Sequence, residues 1–254
     1  MSLLVDGPAR GRLPYWQPAL GRVAAASLSP PSSSGFQLLP VASAAYETRL
    51  ALANQAERTL DVQTFIFSAD DTGRYLLDAL RAAAVRGVRV RLLVDDLNTA
   101  GTDAMLAGFA GEPNVEVRLF NLFVKERSSL AARLLESLHE LDRVNHRMHN
   151  KLFIADNALA VFGGRNTGDE YFMRAKGGNF VDFDVLAAGA VVPALSGSFD
   201  DYWNSAYAYP VHAVIRGDAP LSNAEFRRQF TNVEPRRDQV RSTTGAVDEP
   251  ARAL

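Results

Sequence analysis

From residue 43 onward the spacing of apolar positions switches repeatedly between two periods. "SAAYETRLALANQAERT" (43–59) sets them three and four apart, which predicts a helix, and "LDVQTFIFS" (60–68) is a short β-branched and aromatic run, which predicts a strand. "TGRYLLDALRAAAVRG" (72–87) is helical again and stops on a glycine, and "VRVRLLVDD" (88–96) is a strand. A short helix over "GTDAMLAGFA" (101–110) and a strand over "VEVRLFN" (115–121) follow. A helix over "SLAARLLESLHELD" (129–142) carries leucines at 130, 134 and 138. Then come a β-hairpin within "RMHNKLFIADNALAVFGGRN" (147–166), a strand "VDFDVLAAG" (181–189) and a helix from Val191 to Ser205. Strands alternating with helices predict an α/β sandwich, a sheet covered on both faces. No internal repeat is visible.

Residues 1–35 end in "SLSPPSSSG" and read as a flexible lead-in, 36–215 as the folded domain, and 216–254 as a polar, disordered tail. With 254 residues, 47% apolar and 22% charged, the chain has the make-up of a globular protein. Its net charge of −2 gives no global argument for nucleic-acid binding and leaves a local basic patch open. Cysteine is absent, which excludes disulfides, thiolate metal sites and a cysteine nucleophile. The N-terminus lacks the pattern of a signal peptide, and no run reaches the roughly 18 apolar residues of a membrane span. Any membrane contact is therefore expected to be peripheral.

The hairpin carries the chemistry. Its spacing is H-x-K-x4-D-x6-G-G-x-N, through His149, Lys151, Asp156, Gly163, Gly164 and Asn166. Residues two apart on a strand share a side, so His149 and Lys151 are expected to stand together at one strand end. A phosphodiester is anionic and repels nucleophiles, so its catalyst needs cations and donors on the nonbridging oxygens as well as an attacking group. Lys151 supplies the cation; the Asn166 amide and backbone N–H groups near Gly163 and Gly164 supply neutral donors. His149, kept neutral by the lysine charge, can attack phosphorus and form a phosphohistidine. Asp156, at the turn, reads as structural. Asn166 also suits a helix N-cap, a role compatible with anion binding. His146 and His149 form an H-x-x-H, but a spacing of three on a strand sends the rings to opposite faces, which argues against a shared metal.

This spacing, with its continuation "GGRNTGDEYF", resembles the HKD signature of the phospholipase D superfamily, and the longer string resembles the first HKD half of bacterial cardiolipin synthases of the C type. The resemblance covers roughly residues 36–215. It implies a phospholipase D-like α/β/α sandwich with a mixed central sheet and a single HKD half. It also implies phosphatidyl transfer through a phosphohistidine, with one alcohol leaving and a second alcohol or water taking the phosphoryl group. The implied substrate is a phospholipid of the phosphatidylglycerol or phosphatidylethanolamine class and the implied product is cardiolipin, with no cofactor or metal. The implied location is the bacterial cytoplasm or inner-membrane surface. In related enzymes an aspartate on the next strand fixes the histidine tautomer, which points to Asp182, with Asp184 on the same strand face as the alternative.

The related synthases carry two such halves, each giving one histidine to a shared cleft. Here His139, His146 and His212 are not followed by x-K. Three readings follow: half of a longer lipid enzyme, a homodimeric phosphodiesterase or nuclease acting on nucleic acid, and a half-domain that only binds. The segment 120–143, with Lys125, Arg127 and Arg133 beside apolar residues at helical spacing, reads as a core-facing helix or as a membrane-surface element. "KGGNF" (176–180) reads as a mobile loop rather than a phosphate cradle.

Overall fold

The computed structural model describes residues 18–28, 33–122 and 147–215. The helix expected over 129–142, the basic positions Lys125, Arg127 and Arg133, His139, His146 and the tail from 216 lie outside the described residues.

The elements in chain order are α1 (Ala19–Ala26), β1 (Ser34–Leu39), α2 (Ala42–Gln55), β2 (Thr59–Thr64), α3 (Asp71–Val85), β3 (Arg89–Asp95), α4 (Asp103–Ala110) and β4 (Val115–Phe120). After residue 146 they are β5 (Leu152–Ala155), β6 (Leu159–Gly163), β7 (Asp184–Gly189), α5 (Val191–Trp203), β8 (Ala208–Pro210) and α6 (Val211–Val214). One eight-stranded sheet runs in the order β1-β7-β6-β5-β2-β3-β4-β8. Strands β2, β3 and β4 are parallel, and every other pairing is antiparallel, so the sheet is mixed as expected.

The parallel strands are buried along most of their length because helices cover both of their faces. On one face Leu60, Val62, Val90, Leu92, Val94 and Phe153 pack with Leu76, Leu77 and Leu80 of α3 and Leu106 and Phe109 of α4. On the other, Leu93, Leu152, Ile154 and Ala160 pack with Val192, Phe199 and Trp203 of α5. An ion-pair lattice pins α5 there: Arg91 donates to Asp61 at 2.6 and 2.8 Å and to Asp200 at 2.8 Å, and its guanidinium lies 4.7 Å from the Phe199 ring centre.

Two elements fall within or beside the stretch read as a lead-in. The alanine-rich α1 buries Leu20 and Ala24, and β1 pairs with β7 along all six of its residues. Alanine is the strongest helix former, so a segment this short folds once two positions reach the core.

The hairpin β5–β6 is tied down at its turn. Asp156 and Asn157 adopt positive φ (53° and 51°), a conformation that Asp and Asn tolerate better than most residues. The Asp156 carboxylate accepts from the backbone N–H groups of Glu57 (3.0 Å), Arg58 (2.7 Å) and Thr59 (3.0 Å), which lead into β2. That fastening sits at the start of β2; Lys151 lies toward the other end, about 16 Å away at the usual strand rise of about 3.3 Å per residue, with His149 beyond it.

Candidate active site

The site forms where β2 ends and β5 begins. Gln63 pairs with Leu152, and there the β2–β5 ladder stops. Beyond it the chain of residues 66–68 turns to the segment after β6: Thr167 N donates to Ile66 O (3.1 Å), Ser68 N donates to Thr167 O (2.8 Å), and Phe67 bridges Thr167. His149 and Lys151 therefore precede β5 rather than standing on it, which corrects the strand-end picture. The reason is local: β2's continuation leaves the sheet to meet Asn166 and Thr167, so residues before Leu152 have no strand to pair with.

Without that ladder Lys151 folds back, and its Nζ donates to the His149 carbonyl oxygen at 2.7 Å. The ammonium lies 5.5 Å from the centre of the Phe65 ring, and the same ring meets the His149 imidazole at 4.9 Å. Lys151 is buried while His149 is exposed. Desolvation pulls Lys151 down from its ordinary value to about 8, with Asp182 partly opposing the shift. Desolvation and, second, the Lys151 charge lower His149 below its ordinary value of 6.5, so the imidazole is neutral at neutral pH. The pair is thus a neutral imidazole beside a cation.

Asn166 is buried, and its Oδ1 accepts from Ile66 N at 3.0 Å, which turns its Nδ2 donors the other way. Asp182 is half-buried; its carboxylate attracts Lys151 and accepts from its neighbour Phe183 N at 2.8 Å. Asp184 is fully buried and held in ion pairs with Arg49 (3.0 Å) and Arg165 (3.4 Å). Its carboxylate is committed to that triad.

Gly163 and Gly164 do a different job from the one expected. Gly164 N–H donates to Phe183 O at 3.1 Å, and Gly163 pairs with Asp184, so the Gly164 donor is already engaged. A methyl group at Gly163 would overlap Asp184 and Phe183 O, and one at Gly164 would overlap the Asp182 carboxylate. The glycines let the chain carrying both aspartates come close. Gly164→Ala is accordingly expected to destabilise the fold by about 1–3 kcal/mol through overpacking, lowering the melting temperature by roughly 2–12 °C, measurable by thermal denaturation.

Three side chains here were not read from the sequence. Arg165 donates to Leu39 O (2.9 Å), Pro40 O (2.7 Å) and Asp182 O, tying the end of β1 to the start of β7. Arg49 on α2 shares Asp184 with it. Tyr171 packs its ring on Phe180, with centres 5.1 Å apart. Two aspartates two residues apart on a sheet face were the available signal that cations must lie opposite; nothing in the local spacing says which ones.

Residues 50–200 match the family model described as cardiolipin synthase, PLD-like domain. The chain belongs to this family. Within the PLD-like family it is 45% identical over 171 residues to cardiolipin synthase C of Escherichia coli, covering 67% of this chain and 35% of that protein. The chain spans about a third of the length of the curated relatives it matches. Two solved structures share the PLD-like fold. Phosphatidylserine synthase of Haemophilus influenzae aligns with a TM-score of 0.53 at 12% identity, over 83% of this chain and 47% of that one. NucT from Helicobacter pylori aligns with a TM-score of 0.50 at 16% identity, over 70% of this chain and 98% of that one. Among the described residues no helix is long and apolar enough to cross a membrane.

The two shifted groups set a pH window. Lys151 holds its proton below about pH 8 and loses it above, while His149 becomes neutral at a pH below its ordinary 6.5. Turnover by the assembled site is expected to rise along an acid limb as His149 deprotonates and to fall along an alkaline limb centred near pH 8. Lys151→Arg keeps its charge to far higher pH and should remove the alkaline limb from kcat/KM–pH profiles, whatever it does to the absolute rate.

Proposed function

We propose that this chain is one half of a phosphatidyl-transfer site acting on phospholipids in cardiolipin synthesis. In this reading the neutral His149 imidazole attacks the phosphorus of a phosphatidylglycerol, glycerol departs, and a phosphatidyl-histidine remains. The primary hydroxyl of a second phosphatidylglycerol then attacks that phosphorus, forming cardiolipin and returning the histidine. Lys151 and the free N–H of Asn166 hold the nonbridging oxygens through both steps, and Asp182 is the group that orients the imidazole.

The observation that carries this reading is the exposed, neutral His149 ring beside the desolvated Lys151 ammonium, with the Asn166 amide fixed close by. The 45% identity to a cardiolipin synthase supports a phospholipid over another phosphodiester. An approach from the membrane surface is supported by Phe180, Val181 and Phe183, exposed on the segment that leads into Asp182 and β7. A second half faces this one across the cleft and supplies the acid.

The test is substrate choice. The assembled enzyme is expected to convert phosphatidylglycerol in vesicles to cardiolipin and glycerol, read by mass spectrometry, and to leave single-stranded DNA intact. Cleavage of DNA with no lipid conversion would replace the lipid reading with the nuclease one.

A further inference from the structure

Residues 147–151 carry the imidazole and the ammonium, yet none of them stands on a strand. A chain without a ladder needs other partners for its backbone, and at Met148 that partner is a side chain from β3. Asp95 is the last residue of β3, and β2 ends one register position earlier, with Thr64 opposite Val94. Up to that point β2 lies between β3 and β5; past it, the chain turns away to Asn166 and Thr167 and leaves a gap. The Asp95 carboxylate reaches across this gap, and its Oδ2 accepts from Met148 N at 3.0 Å.

The carboxylate is itself held. It is fully buried, and its Oδ1 accepts from Leu97 N at 2.9 Å and from Arg147 Nη1 at 3.1 Å. The same Nη1 donates to Asn121 O at 2.9 Å, directly after β4. The Met148 side chain is buried in one cluster with Leu93, Phe120 and Leu152. Burial pushes the Asp95 carboxyl up to about 6, with Arg147 opposing, so at neutral pH it is ionised and a charged acceptor. On the other side of the imidazole, the His149 carbonyl accepts from Lys151 Nζ at 2.7 Å. The backbone that presents the ring is therefore pinned before it by Asp95 and after it by Lys151.

We propose that Asp95 is a positioning residue for His149, taking the place of the missing strand by fixing the backbone one residue before the ring. This rests on the reading of His149 as the group that attacks phosphorus. Consecutive Cα atoms are about 3.8 Å apart, so holding Met148 restricts where the imidazole can stand. Asp95 acts on the attack and not on the binding of lipid, because its contacts are to Met148, Arg147 and Leu97.

Asp95→Asn tests this with almost no change of shape. The amide offers one oxygen where Met148 N and Leu97 N use two, and it has no charge for Arg147. The assembled enzyme is mixed with phosphatidylglycerol vesicles in a single turnover, and acid-quenched mass spectrometry follows the phosphatidyl adduct on His149. The rate constant for adduct formation is expected to fall by about tenfold to a hundredfold, as for a small misplacement of an attacking group, with KM for phosphatidylglycerol unchanged. Partial unfolding would instead lower the amount of adduct and leave the rate constant of the folded fraction as it was; circular dichroism measures that fraction. A wild-type rate constant in Asp95→Asn, or a raised KM at an unchanged rate constant, overturns the proposal. Hydrogen exchange on the wild-type chain decides the matter if the variant does not fold. The Met148 N–H is expected to exchange as slowly as the amides within β5, and exchange at the speed of an open loop beside a protected β5 overturns the proposal too. A wild-type assembly that forms no adduct on His149 removes the reading of His149 as nucleophile, and this inference with it.

Discussion

Lys151→Ala is expected to cut phosphatidyl turnover by about a hundred- to a thousandfold, the loss that follows removal of one donor to a developing oxyanion. The lysine is desolvated and its Nζ spends one proton on the His149 carbonyl, which leaves two for a substrate oxygen. Because the ammonium is partly desolvated, its field on a phosphodiester is stronger than it would be in bulk solvent. Substitution also acts on His149. Lys151 is one of the two causes that hold the imidazole below its ordinary pKa, so its removal should shift the acid limb of the pH profile upward. A fold defect would reproduce neither the shifted limb nor a native circular dichroism spectrum. Lys151→Met separates charge from packing: it keeps the stem against Phe65 and should be as impaired as alanine. A methionine variant with near-wild-type turnover would take the ammonium out of the chemistry.

How much of this was legible in the sequence varies with the range of the interaction concerned. Helix α3 and strands β3 and β4 follow from apolar period, because their burial is dictated by neighbours one turn or one pleat away, whereas the strand expected over 60–68 ends at Thr64. Strand β1 escaped because "SGFQLL" is an edge strand: Phe36 and Leu38 stay exposed, so no alternation marks it, and its partner β7 is about 150 residues distant. Strand β8 is three residues long and too short to carry a pattern.

The site divides in the same way. His149, Lys151 and Asn166 are tied together by a fixed spacing, and the chemistry expected of each follows from its side chain. Arg165 occupies the variable position of the same motif, yet its guanidinium reaches Leu39 and Pro40, 126 and 125 residues away. The Gly163–Gly164 pair looked like a set of backbone donors, whereas the carboxylates of Asp182 and Asp184 are what leave no room for a Cβ. The strand-end picture of His149 and Lys151 failed for a related reason. It assumed that β2 continues beside them, but residues 66–68 leave the sheet for Asn166 and Thr167.

If the proposed two-half site holds, the largest effect expected is from separating its halves: a demonstrably monomeric sample should show no more than about a ten-thousandth to a hundredth of the assembled rate. General-acid help to a leaving alcohol is worth roughly 10²–10⁴-fold, and His149 cannot attack phosphorus and protonate the departing oxygen in the same step. Lys151 is no substitute in this mechanism, which places its charge on the nonbridging oxygens. Asp184 is buried between two arginines, and in the proposed mechanism Asp182 is taken up with orienting the imidazole. In the proposed mechanism the acid then comes from a second imidazole across the cleft. If that imidazole belongs to another copy of this chain, specific activity should climb with protein concentration as copies associate. Equal mixing with His149→Ala chains should then leave about a quarter of the pairs fully wild type, with activity falling in proportion. If it belongs to a different half, the chain should stay inactive at every concentration and gain activity only when that half is added. His149→Ala in either assembly should abolish covalent labelling by substrate, which acid-quenched mass spectrometry reads as loss of the phosphatidyl adduct. Full turnover from dilute monomer would defeat both versions, since it would require an acid within this chain that neither His149 nor its neighbours can provide.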